Sequence, residues 1–232
     1  MNTNLLIFSS SNYNRNNPKL FDNTYKKYFN SIIIYNENDL DNYILNIIKN
    51  IINNYGICGF GFWIWKPYLI LKELSKMKNN DILFYIDSHF FINQEDIIED
   101  IIKDLKKTNK PIFSGNNCKS DDYYWTTTKL VKKVESYFNY NFSEAELKKE
   151  HNDAGLLFIR KNKFTINFFK QMFDFMLNNI EYISNEHNND IDNNKGFKEN
   201  RHDQSLFNLM IKYYKISTPE YIKYGNFITE WK

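Results

Sequence analysis

Several features that define common protein classes are missing from this chain of 232 residues. No apolar run approaches the roughly 18 to 20 residues of a membrane span, and the first residues lack the basic flank and apolar region of a secretory signal. Two cysteines, Cys58 and Cys118, are too few for a disulfide framework or a tetrahedral cysteine metal site. We therefore expect a cytoplasmic protein with no transmembrane segment, and peripheral membrane association stays open.

A surplus of charge of one sign is also missing. The 30 basic residues nearly balance the 28 acidic ones, which argues against a nucleic-acid partner held by phosphate contacts. No G-x-G-x-x-G follows a predicted strand, no G-x-x-x-x-G-K-[ST] P-loop exists, and no G-x-S-x-G nucleophile elbow exists. Dinucleotide-binding, P-loop and serine-hydrolase chemistry are therefore not expected.

Arginine is scarce and asparagine abundant. The chain has 36 Asn and only three Arg, at Arg15, Arg160 and Arg201. Enrichment in Asn, Lys, Ile, Tyr and Phe is what an AT-rich genome encodes, so most of this bias carries no functional information. The few Arg, Gly, Trp and Pro residues that run against the bias are more informative.

Apolar periodicity predicts strands that alternate with helices. Short apolar runs predict strands over 5–8, 31–35, 81–87, 111–114 and 154–160. Helical spacing of apolar residues predicts helices over 39–52, 67–77, 94–105, 126–138, 164–179 and 203–214. This alternation predicts an α/β fold in one domain over residues 1–232, with a mostly parallel central sheet flanked by helices on both faces. Residues 82–86 are apolar without interruption, which is typical of a central strand covered on both sides.

The segment 182–200 is different from the rest of the chain. It is polar, rich in Asn and nearly free of aliphatic residues. A segment of this kind inside a compact domain is either a functional loop or an insert without a role. We expect a mobile loop here, and its interpretations as a lid and as a plain insert are equally favoured.

Polar side chains follow two predicted strands, where open α/β sheets bind their ligands. Ser9 and Ser10 follow the first strand, and Asp87 and His89 follow the central one. A carboxylate that closes a buried strand requires a cation or hydrogen-bond donors. Asp87 and His89 could occupy two positions of a divalent ion whose other ligands are phosphate oxygens and water. Equally, Asp87 could cap the following turn beside an incidental His89.

Two further segments concentrate informative residues. In the first, over 59–67, the glycines suit a tight turn and Lys66 lies beside a helix amino terminus, a position suited to phosphate. Trp63 and Trp65 could stack on a base or sugar, although packing in the core is the commoner role. In the second, over 201–205, Asp203 is either a helix cap or part of a site that closes beside the polar segment. The polar run 150–155 is a weaker candidate.

Together these segments resemble a known family. A Gly-x-Gly-x-Trp-x-Trp-Lys-Pro run at 59–67, a strand ending in Asp87, an Asp-Ala-Gly at 153–155 and an Arg-His-Asp-Gln-Ser at 201–205 occur in the order found in small bacterial-type GT-A glycosyltransferases. Those enzymes are capsule and lipopolysaccharide sugar transferases. The chain is also similar, more distantly, to glycogenin-like retaining transferases. The four anchors cover roughly residues 5–215.

The resemblance implies a GT-A fold, a UDP- or GDP-sugar donor, a hydroxyl of a glycan or other acceptor, and Mn²⁺ or Mg²⁺ on the diphosphate. By position, Asp87 matches the metal-binding carboxylate, and His89 stands where the wider group has a second Asp. Lys66 would face the donor phosphates. Asp153 stands where the wider group has Asn, in contact with the sugar.

The remaining anchors complete the implied site. Asp203 and Gln204 would lie near the anomeric carbon, and Gly155 and Arg201 would belong to the donor site. The serines at 9 and 10 with Trp65 would hold the nucleoside. The glycogenin-like similarity slightly favours retention of configuration. Two alternatives stay open: a nucleotidyltransferase, against which a missing Gly-rich loop after the first strand argues, and an inactive sugar- or nucleotide-binding protein, which the lost second carboxylate suggests.

Overall fold

A computed structural model describes residues 1–11, 25–92, 96–108, 110–219, 222 and 228–230. The strands, in chain order, are β1 (Thr3–Phe8), β2 (Ser31–Tyr35), β3 (Ile82–Asp87), β4 (Phe90–Ile92), β5 (Ile112–Asp121), β6 (Glu150–Arg160) and β7 (Ile228–Glu230). A 3-10 turn (Glu37–Asp39) precedes the helices α1 (Asn42–Tyr55), α2 (Gly59–Phe62), α3 (Trp65–Lys76), α4 (Asp96–Thr108), α5 (Asp122–Trp125), α6 (Thr128–Phe138), α7 (Glu144–Leu147), α8 (Lys163–Asn178), α9 (Ile180–Ile183) and α10 (Asp203–Tyr213).

The predicted strands and helices are all present, and most of their ends lie within about three residues of the predictions. The exceptions are β6, which begins four residues earlier than predicted, and β5, which runs seven residues beyond its predicted end at 114. The first residues predicted for α4, at 94 and 95, lie outside the described part of the chain. The short strands β4 and β7, which pair with each other, were not predicted. A strand of three residues is too short for its apolar pattern to distinguish it from a loop.

The central sheet is mixed, so the prediction of a mostly parallel sheet was wrong. Its strand order is β2-β1-β3-β6-β5. The strand β1 pairs in parallel with β2 and β3, whereas β6 pairs antiparallel with both β3 and β5. The helices α5 to α7 follow β5 and return the chain to the edge where β5 ends, so β6 has to run back in the opposite direction. Apolar runs reveal that a strand is buried but not which way it points.

The central position predicted for 82–86 is confirmed. The strand β3 lies in the middle of the sheet, and its residues Ile82 to Ile86 are at most 1% exposed. On one face, Leu83 and Tyr85 pack under a core built mainly by α1, α3, α6, α8 and α10. On the other face, Ile82, Phe84 and Ile86 pack with α4. The sheet is therefore covered by helices on both faces, as predicted.

The segment 182–200 consists mainly of turns held by hydrogen bonds. The buried side-chain amide of Asn200 donates to the carbonyl oxygens of Tyr182, Ile183 and Ser184 at 3.0 to 3.3 Å. The backbone amide of Lys198 donates to the Tyr124 carbonyl oxygen at 2.8 Å. These bonds attach the carboxyl end of the segment to α9 and α5, and its mobility and its role as a lid stay predictions. Among the described helices, none has the length and apolarity needed to cross a bilayer.

Candidate functional site

The predicted segments 59–67, 150–155 and 201–205 meet at the edge of the sheet where β1 and β3 end. Because β6 is antiparallel to β3, with Ile86 opposite Leu156, its first residues lie beside the end of β3. Gly155 therefore lies against Asp87. A Cβ atom on Gly155 would lie 2.6 Å from Asp87 Oδ2, closer than real Cβ atoms approach, and 3.0 Å from Asp153 Oδ1, which is a tight contact. A larger residue at this position would therefore have to displace the neighbouring side chains, so the position favours glycine.

A buried lysine lies at the centre of this group. Lys66, near the start of α3, is 2% exposed. Its ammonium is 2.7 Å from Asp203 Oδ2 and 3.6 Å from Asp87 Oδ1, and it donates to the Ala154 carbonyl oxygen at 3.3 Å. Burial alone would lower the pKa of Lys66, but the neighbouring carboxylates outweigh burial and raise it. Lys66 is therefore charged, as a buried ammonium can be only when it is paired.

Two of the carboxyl groups hold their protons more tightly than usual. Burial raises the pKa of Asp153 to about 7, and the negative charge of Asp87 adds to this, although Asp153 Oδ1 accepts a 2.6 Å hydrogen bond from the Gly155 amide. Burial also raises the pKa of Asp203, against the attraction of Lys66. We call Lys66, Asp87, Asp153 and Asp203 the Lys66 cluster. When all three carboxyl groups are ionised, the cluster holds more negative than positive charge.

The start of α10 positions Asp203. The imidazole of His202 packs against the rings of Phe62 and Trp63, with centroids 5.1 and 5.5 Å away, and its Nδ1 lies 2.8 Å from the Ile183 carbonyl oxygen. Burial lowers the pKa of His202, which favours the neutral imidazole with a proton on Nδ1 that is donated to that oxygen. His202 thereby links α2 to the first residue of α10.

The other helix and strand contacts complete the frame. The Gln204 Oε1 atom accepts a 3.4 Å hydrogen bond from the Ala154 amide, which ties α10 to β6. Below Asp87, the Tyr85 hydroxyl donates to Asp87 Oδ1, and the Tyr85 ring lies 5.3 Å from the Lys66 ammonium.

An open pocket with about 460 Å³ of empty volume lies next to the Lys66 cluster. Asp87 belongs to both. One part of the wall is aromatic and the other is polar; the lining residues are Phe8, Ser10, Gly59, Phe60, Trp63, Trp65, Asp87, Ser88 and His89. They come from the end of β1, the segment 59–65 and the residues after β3. The pocket thus brings together the residues at the ends of β1 and β3 and the segment rich in glycine and tryptophan.

The segment 59–63 forms the tight turn that its glycines predict. All five residues have positive φ angles, including Phe60 at 51° and Trp63 at 60°. Non-glycine residues in this region are strained, and such strain is found preferentially at functional sites. The turn is held by the Trp65 indole, whose Nε1 donates to the Gly59 carbonyl oxygen at 3.1 Å. The Trp65 ring is only 5% exposed and packs 4.0 Å from the Phe8 ring, so it lines the pocket as part of the core.

Two predicted donor-site residues lie elsewhere, and one residue of the site was not predicted. Ser9 is buried behind the pocket wall, where its amide donates to the Tyr35 carbonyl oxygen at 2.9 Å. Arg201 lies over the Trp125 ring, 4.2 Å from its centroid, and pairs with Glu199 at 3.1 Å. Tyr85 is the residue that the motifs did not reveal. Its position two residues before Asp87 in a strand was the available signal, because such residues share one side.

The residues present fit a divalent cation only in part. Among the described residues, no three His, Cys, Asp or Glu side chains are grouped so that they could hold a metal ion. Asp87 and His89 both line the pocket, and Tyr85 and Lys66 engage only Oδ1 of Asp87. A carboxylate oxygen suits Mg²⁺ or Mn²⁺, whereas an imidazole is a commoner ligand of Zn²⁺, Cu²⁺, Fe²⁺ and Ni²⁺. A cation at Asp87 and His89 would take its other ligands from phosphate and water, and it stays a prediction.

Comparisons with known proteins do not identify a family for this chain. No family model matches the chain, and no curated protein matches it. Among solved structures, the chain is similar to the apo crystal structure of mouse xyloside xylosyltransferase 1. The two are 7% identical, the match covers 93% of this chain and 70% of that chain, and the TM-score is 0.43. A likeness at this level carries no argument about function. What the structure defines is an α/β protein with a mixed five-stranded sheet and a buried lysine–carboxylate cluster beside an aromatic pocket.

Proposed function

We propose that the protein is a glycosyltransferase that moves a sugar from a UDP- or GDP-sugar to a hydroxyl of a glycan or another acceptor. The supporting observation is that Asp87 belongs at once to the aromatic pocket and to the Lys66 cluster. A nucleoside in the pocket would place its diphosphate at Asp87 and its sugar toward the other carboxyl groups. The GT-A resemblance of the four sequence anchors agrees with this assignment.

The pocket is suited to the nucleoside. It combines apolar walls with a few polar groups, as small-molecule sites do. Phe60, Trp63 and Trp65 offer aromatic surface to a base, and Ser10 offers a hydroxyl to the base or the ribose. Ser9 and Arg201 would act from outside the lining.

Asp87 and His89 would hold Mn²⁺ or Mg²⁺ at the diphosphate end of the pocket. Such an ion supplies positive charge against the negative charge that develops on a leaving diphosphate. Lys66 already lies between Asp203 and Asp87, so its contribution is to hold these carboxylates together. Its direct contact with phosphate stays a prediction.

The reaction breaks the bond between the anomeric carbon and the diphosphate oxygen and forms a bond to the acceptor oxygen, while the acceptor proton leaves. Asp203 would stabilise the positive charge on the sugar, or take the acceptor proton if configuration is inverted. Asp153 has a pKa of about 7, the range suited to proton transfer. Gln204, bonded to Ala154, would fix the sugar beside them. The resemblance slightly favours retention.

A thermal-shift panel of UDP, GDP and their sugars, with and without Mn²⁺, tests donor binding first. Stabilisation by a nucleotide together with metal is expected, and donor hydrolysis is then measured with the nucleotide sugar that binds. Asp87→Ala should abolish turnover and leave the fold intact, whereas the control Asp100→Ala, on the exposed surface of α4, should change neither. Normal turnover by Asp87→Ala would refute the site. Binding without any hydrolysis or transfer would favour an inactive binding protein, which His89 in place of a second carboxylate suggests.

A further inference from the structure

We propose that Tyr85 is a positioning residue, whose hydroxyl fixes the carboxylate of Asp87 so that Oδ2 alone is left to act in the pocket. This inference rests on the proposed function, since it concerns what Asp87 offers to a donor. It adds a residue that the sequence motifs did not contain.

The two oxygens of the Asp87 carboxylate have different surroundings. Tyr85 and Asp87 are two residues apart in β3, so their side chains lie on the same side of the strand. The Tyr85 hydroxyl donates to Oδ1, and the Lys66 ammonium lies 3.6 Å from the same atom. The other oxygen, Oδ2, lies above Gly155, which has no side chain to cover it. The hydroxyl and the ammonium thus meet one oxygen and leave the second one available.

The Tyr85 hydroxyl is a polar group buried in an apolar strand. Tyr85 is fully buried in a strand whose neighbours Leu83, Phe84 and Ile86 are apolar. A phenylalanine would fill this position without the cost of burying a polar group, which has to be hydrogen-bonded. The bond to Asp87 is therefore the function that distinguishes tyrosine from phenylalanine here.

The chain contains a matched control. At the end of β2, the Tyr35 hydroxyl donates to Glu73 Oε1 at 2.5 Å, and Lys76 pairs with the same oxygen at 2.6 Å. This trio repeats the arrangement of a tyrosine hydroxyl and a lysine on one carboxylate oxygen. Neither Tyr35 nor Glu73 is among the residues that line the pocket.

The experiment compares Tyr85→Phe with Tyr35→Phe. Each variant keeps its ring and loses one hydroxyl on a carboxylate shared with a lysine. Calorimetric titration with Mn²⁺ and whichever of UDP and GDP stabilises the wild type should show about 10- to 100-fold weaker binding for Tyr85→Phe, the range expected when a charged group loses a hydrogen bond. Tyr35→Phe should stay within about twofold of the wild type. A crystal structure of Tyr85→Phe should show the Asp87 carboxylate rotated away from its wild-type orientation.

A purely structural role for Tyr85 predicts other results. It would lower the melting temperature of Tyr85→Phe and leave its nucleotide binding within twofold of the wild type, and this outcome overturns the proposal. An unmoved Asp87 carboxylate in the crystal structure overturns it as well. In an Asp87→Ala background, adding Tyr85→Phe should change nucleotide affinity by less than twofold, because Tyr85 then has no carboxylate to position. If no nucleotide binds the wild type, the proposed function fails, while the crystal structure still decides whether Tyr85 orients Asp87.

Discussion

Gly155→Ala is the substitution with the most direct structural consequence. The added Cβ would lie 2.5 Å from Cε2 of Phe90, 2.6 Å from Asp87 Oδ2 and 3.0 Å from Asp153 Oδ1. None of the three can withdraw easily. Phe90 is 4% exposed and packs in the core on the far face of the sheet, and the two carboxyl groups belong to the Lys66 cluster.

The magnitude follows from these distances. Forcing one methyl group into a packed interior costs about 1 to 3 kcal/mol. For a chain of this length each kcal/mol lowers the melting temperature by about 2 to 4 °C, so a loss of about 2 to 12 °C is expected. The methyl group would also displace Asp87 Oδ2, the oxygen that we assign to the proposed cation on the donor diphosphate. Nucleotide binding should therefore fall by more than the loss of stability explains.

The assay combines thermal unfolding with nucleotide titration, and Gly115→Ala is the control. A Cβ on Gly115, which pairs with Asp153 across β5 and β6, would lie 3.2 Å from Asp153 Cβ and 3.4 Å from Leu156 Cδ2. Small shifts relieve contacts of this size, so Gly115→Ala should be less destabilising and should still bind. If Gly155→Ala were as stable as the wild type and bound nucleotide equally well, the close approach of β6 to Asp87 would be refuted.

Two further variants test the electrostatics of the Lys66 cluster. Asp203→Asn removes the carboxylate nearest to the buried Lys66 ammonium and should lower the free energy of unfolding in urea by about 3 kcal/mol. The control Asp100→Asn, at an exposed position, should lower it by less than about 0.5 kcal/mol. Equal losses for the two variants would contradict the pairing of Asp203 with Lys66. Asp153 has a pKa of about 7 in the fold against a usual value of 3.8, so the folded state binds its proton more tightly than the unfolded state does. The contribution of this proton to the free energy of unfolding is complete below about pH 4 and is lost as the pH rises through 7. Asp153→Asn should therefore gain melting temperature relative to the wild type between pH 5 and 8, and parallel pH curves for the two proteins would rule this out.

The fold was predictable where burial decides it. The uninterrupted apolar run of β3 identifies the central strand, because only a strand covered on both faces needs every side chain to be apolar. The same signal is silent on direction, which depends on where α5 to α7 deliver the chain. That is why the sheet was expected to be mostly parallel, whereas β6 is antiparallel to both of its neighbours. Its reversal also brings Asp153 and Gly155 to the edge where Asp87 lies.

The sequence predicts the segments that form the candidate site but not the ion pairs between their side chains. The strand ends and the segment 59–67 identify the pocket, since polar residues that follow buried strands mark the ligand-binding edge of a sheet and paired glycines permit the strained turn beside it. The sequence placed Lys66 beside phosphate because it precedes a proline in the first turn of a helix. In the structure its ammonium is buried between Asp203 and Asp87, and its contact with phosphate stays a prediction. Separations of 137 and 21 residues in the chain leave no local pattern that reveals these pairs.

The charge of the Lys66 cluster gives the proposed cation a physical reason. Three carboxyl groups and one ammonium have a net charge of −2 when all are ionised, and −1 when Asp153 keeps its proton. The charge is zero when Asp203, whose pKa burial also raises, keeps its proton as well. A diphosphate brought to Asp87 would meet this negative charge where little water screens it, since Lys66, Asp153 and Asp203 are buried. The ammonium cannot offset both, because it already serves Asp203 and Asp87. Added positive charge at Asp87 would therefore favour an anionic donor, and the oxygen that Tyr85 and Lys66 leave available is where the proposed divalent ion would bring it.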